Sequence, residues 1–213
     1  MKRGVILLLF LTCICNGCIQ RNKSFLEQWL DIINADYNEV KKVLPQNILL
    51  GFPNKLDSTV FGYMGGIGPY ECTNIGFQIS KFFDGEIIDS VNNVVYQAND
   101  TCLFVINRFY NKESIDCQKE LSEDEKKIVN QSCLIGKKPI PNFWANNFAT
   151  DSTECRLPKD FMIFVFDAAA GKFLPDEYLT NRDFMPDEWK HGYSRGMAFS
   201  NQKKVLIYWV EIW

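Results

Sequence analysis

The segment KVLIYWVEIW, residues 204–213, constrains the fold more than any other part of the chain. It is built of β-branched and aromatic side chains, and between Leu206 and Val210 its apolar character does not alternate. A strand with one wet face alternates between apolar and polar residues. A strand apolar on both faces needs cover on both sides. This segment therefore predicts a central strand, and with it a sheet thick enough to bury two faces.

The covering layers have to come from elsewhere in the chain. Ser24 followed by Glu27 is a capping box. Phe25, Leu26, Trp29, Leu30, Ile33, Tyr37, Val40 and Leu44 follow at three- and four-residue spacing, one apolar helical face that Pro45 ends. Asp36 and Glu39 repeat the capping pattern, so one helix and two shorter ones fit the sequence equally. After Pro53 the pattern changes to short runs around Phe77 and Ile79, Ile87 and Ile88, Val94 to Tyr96, and Cys102 to Phe109. Turn signals at Asp84-Gly85 and Asn99-Asp100 predict an antiparallel meander. The stretch GYMGGIG, residues 62–68, lacks the order of a phosphate loop and reads as a flexible turn. Ser122 with Glu125 predicts a second, polar helix to about Gln131, and Phe161 to Phe166 a continuous apolar strand. The expected class is α+β: an antiparallel sheet packed by an N-terminal amphipathic helix, with one short internal helix.

Ahead of this domain, Lys2 and Arg3 precede an apolar run from Gly4 to Ile14, broken by Thr12 and Cys13. A bilayer-spanning helix needs about 20 apolar residues, so the run is too short to span and has the layout of an export signal. Cys15-Asn16-Gly17-Cys18 after it resembles the lipobox of bacterial lipoproteins. The resemblance covers the first eighteen residues. It implies residues 1–17 as a cleaved signal peptide, Cys18 as the lipid attachment site, a short tether over 18–23, and a single domain over 24–213. Several acyl chains would hold such a protein firmly to a membrane, since one chain alone binds marginally. Ile19 stands where an aspartate is the usual inner-membrane retention signal in that family, which points to the outer membrane of a bacterial envelope. Ordinary cleavage and secretion is the alternative, and sequons at Asn22, Asn99 and Asn130 would suit a secreted glycoprotein.

Removing 17 of the 213 residues leaves 196, the size of one domain. The hydrophobic content of 46% is ample for a core. With 23 basic and 26 acidic residues the chain carries no cationic surface for phosphate neutralisation, so nucleic acid is not an expected partner. The same balance argues against a second membrane-surface helix. Beyond Cys18 lie Cys72, Cys102, Cys117, Cys133 and Cys155, which in an oxidising compartment read as disulfide partners. Cys117 and Cys133 flank the polar internal helix, which has little else to hold it, so a bridge between them is expected. There is one histidine and no C-x-x-C beyond the signal, so no metal site and no cofactor are expected.

Chemistry concentrates in EWKHGYSRG, residues 188–196. Trp189, His191, Tyr193 and Arg195 fall close together, and Gly192 and Gly196 would allow tight turns. His191 as a base with Tyr193 and Arg195 as anion contacts is one reading. The other is a turn before the last hairpin, with the aromatics capping the core edge and Arg195 paired with an acid. A Cys155–His191 pair lacks any supporting signature, and no serine-hydrolase motif occurs. The acid pairs Asp176-Glu177 and Asp187-Glu188 would suit hydrolysis only if brought together across a substrate. No catalytic residue is assigned. The sequence points to an envelope-anchored protein-binding or accessory module, such as an immunity protein or an envelope-complex subunit, with an exported hydrolase using residues 187–195 as the alternative.

Overall fold

The computed structural model describes residues 23–67, 74–85, 96–97, 102–105, 123–124, 136–143, 153, 155–179 and 185–213. Most of the described structure is antiparallel sheet, accompanied by one helix, α1, at Phe25–Val43, and two single 3₁₀ turns at Asp176–Tyr178 and Asp187–Trp189. The strands are β1 (Val60–Gly66), β2 (Ile75–Phe82), β3 (Tyr96–Gln97), β4 (Leu103–Val105), β5 (Lys138–Ile140), β6 (Met162–Ala170), β7 (Gly192–Ser200) and β8 (Val205–Ile212).

α1 begins as its capping residues dictate. The Ser24 hydroxyl accepts from the Glu27 N–H at 3.2 Å, and the Glu27 carboxylate accepts from the Ser24 N–H at 2.7 Å. It runs as one element through Asp36 and Glu39 and stops before Pro45, whose ring leaves no N–H to continue the ladder. Asp36 does not start a second helix; its carboxylate accepts from the Tyr63 hydroxyl at 2.7 Å.

The main sheet has the order β1-β2-β8-β7-β6-β3. β8, the segment that opened the sequence argument, lies between β2 and β7 and pairs antiparallel with both. On one face Ile33, Tyr37, Val40 and Leu44 share a buried cluster with Ile75, Phe77 and Ile79 of β2 and Val210 and Ile212 of β8. The Tyr37 and Phe77 rings meet edge to face at 4.9 Å. The other face carries Trp209, Ile207 and Ala198 against Leu103, Ile140, Phe143, Leu157 and Phe161. β4 and β5 pair parallel as a separate two-stranded sheet, joined to this face where the Ser194 hydroxyl donates to the Pro139 carbonyl at 2.6 Å.

Three expectations change. Among the described residues, the runs predicted as a meander do not pair in sequence: β2 neighbours β1 and β8, β3 pairs with β6, and β4 pairs with β5. The turn signals are local, whereas pairing is decided by which strands can share covered faces. GYMGGIG is not a turn through residue 66 but most of β1, a sheet edge. Its Gly65 is tolerated because the Tyr63 ring folds over that position and leaves no space for a Cβ. Finally, Gly192 and Gly196 lie within β7 rather than in turns. A Cβ on Gly192 would stand 3.1 Å from both the Trp189 and Trp213 rings, and one on Gly196 would stand 2.5 Å from the Trp209 ring. These glycines make room for indoles. The expected second helix is described at Glu123 and Asp124 alone, both helical, and Cys18, Cys117 and Cys133 lie outside the described residues.

Candidate functional site

The four residues singled out near the lone histidine enter β7 together, but they do not converge on one space. The Trp189 ring stands 6.1 Å from Phe104 and 6.2 Å from Trp213, and its carbonyl accepts from the Trp213 indole N–H at 2.7 Å. The His191 carbonyl accepts from the Gly171 N–H at 2.8 Å, while its Nδ1 is buried without a hydrogen-bond partner. Tyr193 is buried, its ring edge-on to Phe173 at 4.5 Å and its hydroxyl donating to Asp167. Burial first, and then the Asp167 carboxylate, push the Tyr193 phenol up to about 12. Among the described residues Arg195 closes no ion pair, where the turn reading expected one. Its guanidinium donates to the carbonyls of Ile48 at 3.1 Å and Leu50 at 2.6 Å.

Arg195 is therefore one of several clamps on the segment between α1 and β1. Asn34, buried in the helix, donates to the Leu56 carbonyl at 3.0 Å and accepts from the Leu56 N–H at 2.8 Å. Tyr37 donates to the Pro53 carbonyl and Lys41 to the Asn54 carbonyl, each at 2.7 Å. Arg195 spends one guanidinium nitrogen on these carbonyls, and its buried Nε has no hydrogen-bond partner among the described residues. A shallow cleft of about 440 Å³ lies beside the clamps, lined by Tyr37, Lys41, Gln46, Leu49, Leu50 and Phe52.

Of the remaining chemical candidates, Asp176 comes within electrostatic reach of His191. Cys155 is buried with Phe143, Leu157 and Phe161, its Sγ 3.2 Å from the Thr153 hydroxyl. Asp176 and Asp187 begin separate 3₁₀ turns, each beside its own lysine: Lys172 at 2.7 Å and Lys190 at 3.1 Å. The hydrogen bond and charge of Lys172 hold the Asp176 carboxyl below its ordinary value. Among the described residues no group of three or more His, Cys, Asp or Glu side chains is arranged to hold a metal ion, and no helix is long and apolar enough to cross a membrane.

A surface that the sequence reading missed is more distinctive. β1 is the last strand on its side of the sheet, hydrogen-bonded to β2 alone among the described strands. It contains no charged residue and no proline, the usual guards of a strand edge. Met64 is 41% exposed, and Phe61 and Ile67 are also exposed. Phe82 of β2, 52% exposed, lies 4.5 Å from the Phe61 ring, so two aromatics sit together in solvent. The signal for a strand was present in Val60, Phe61 and Tyr63, but three glycines outweighed it. No protein-family profile, curated protein or solved structure matches this chain.

Proposed function

We propose that this chain is an envelope-anchored lipoprotein, attached through Cys18 to the outer membrane, whose domain is a protein-binding or accessory module. We also read its class as α+β, with α1 covering one face of the sheet; the cluster that Tyr37 and Val40 share with Phe77 and Val210 supports this. The observation that carries the binding reading is the uncharged edge β1 with Phe61, Met64 and Phe82 exposed beside it. An exposed strand edge offers main-chain donors and acceptors to an extended partner segment, while neighbouring apolar side chains select it. Exposed aromatics are the residue type from which interface anchors are drawn. The side chains near His191 support the same reading, because Tyr193 and Arg195 are already engaged in holding the fold.

Two measurements test this. Labelled fatty acid enters the wild-type protein, and Cys18→Ser releases it from membranes; a variant that stays bound without acyl mass overturns the anchor. The soluble domain from Gln20 onward captures a stoichiometric protein from envelope fractions, and Met64→Lys, which puts a charge on the β1 edge, loses it. Capture that is indifferent to Met64→Lys overturns β1 as the binding edge.

A further inference from the structure

α1 carries more apolar surface than the buried cluster uses. Ile33, Tyr37, Val40 and Leu44 are buried, as expected, but Phe25 is 85% exposed and Ile32 67% exposed. With the half-buried Trp29 between them, these residues recur at i, i+4 and i+7, a stripe along the N-terminal half of the helix. Leu26, also exposed, lies next to it. Helical spacing puts the acidic residues of this half, Glu27 and Asp31, off the stripe, and Asp31 is paired with Lys23. Trp29 packs in part against the buried cluster, while Phe25 and Ile32 stand outside it in solvent.

The length of chain before the helix says what meets this stripe. Four residues, Ile19 to Asn22, separate Cys18 from Lys23. Even fully extended, the seven steps from Cys18 to Phe25 span at most roughly 25 Å. A lipid anchor at Cys18 therefore keeps the start of α1 within roughly 25 Å of the membrane surface, in reach of it. We propose that Phe25, Trp29 and Ile32 seat α1 in the interface of the bilayer that holds the anchor, which sets how the domain stands on the membrane; this rests on lipidation at Cys18. Tryptophan favours that depth, where its amphipathic ring meets head groups and acyl chains, and phenylalanine adds apolar contact. With no basic run on the helix, the seating draws on apolar contact and not on anionic lipid.

The test uses the lipidated mature protein reconstituted in phosphatidylcholine vesicles whose acyl chains carry bromine, a short-range quencher of tryptophan. Part of the emission is quenched in the wild type, that part is missing in Trp29→Phe, and added anionic lipid leaves it unchanged. Phe25→Ser combined with Ile32→Ser, at exposed positions, keeps the melting temperature and the acyl mass yet reduces the quenching. An anchored protein of confirmed acyl mass whose quenching is the same with and without Trp29 overturns the seating and leaves the lipidation standing. Absence of acyl mass overturns both. Shielding of Trp29 that appears only when envelope proteins are added overturns the lipid occupant in favour of a protein one.

Discussion

β8 and β1 belong to the same sheet, yet they meet opposite surroundings. β8 has β2 along one edge and β7 along the other, and all but two of its eight residues are buried. β1 has β2 alone among the described strands, a register shift between Val60 and Gly62, and one buried residue. Charge does not explain the difference, since β1 is the one without a charge; β1 carries three glycines where β8 has an unbroken apolar run. What also differs is how many sides are taken. A strand covered on four sides contributes stability, while one with an open edge contributes a surface that something else can complete.

Removing the largest side chain of β8 should break the comparison at its stronger end. Trp209 is fully buried, edge to face with Phe143 at 5.5 Å, and its ring fills the space left by Gly196. Trp209→Ala is expected to cost about 3–5 kcal/mol, read as a large fall in the denaturant midpoint; a loss under about 1 kcal/mol would mean that β8 is not the centre of the fold. A smaller effect concerns the adjacent strand. Because the Tyr193 phenol is held at about 12 against an ordinary value of 10, the folded state resists its ionisation. That contribution is complete below pH 10 and is lost as the pH rises towards 12, so stability should fall across that window. Tyr193→Phe should flatten part of the fall in thermal melts, and an unchanged alkaline profile would count against the buried phenol. Smallest of all is Met64→Lys on β1, expected within about 0.5 kcal/mol of wild type because its side chain is exposed. A substantial loss of stability there would show that β1 supports the fold as β8 does.

The same contrast explains what could be read in the sequence. β8 announced its central place because burial on both faces leaves a continuous apolar run that no surface strand shows. The Ser24–Glu27 cap and the stop before Pro45 were equally legible, being local backbone chemistry. The helix face was half legible. Periodicity joined Phe25 and Leu26 to Ile33 and Tyr37, but it cannot tell a side chain that meets the buried cluster from one that points past it. Pairing order was not legible, because β2 finds β8 across a long stretch of chain and turn signals describe neighbours in sequence. Arg195 showed the same limit. Its charge predicted an acidic partner, whereas two loop carbonyls serve, and carbonyls leave no trace in a sequence. The disulfide expected between Cys117 and Cys133 falls outside the described residues.

The place of β8 also governs when the fold can close. Gln78 on β2 meets Glu211 on β8 across 133 residues of chain, and β7 and β8 together make the middle of the sheet. A chain delivered from its N-terminus presents α1, β1 and β2 first, a helix on a two-stranded ribbon whose second edge is still unpaired. Contacts of such long range make folding slow, because loop closure comes before the reward. Until residues 205–212 are in place, the edge of β2 that pairs with them stays open. β8 follows both its partners in the chain and is thus the sheet's clock: the middle of the sheet closes only when β8 is present.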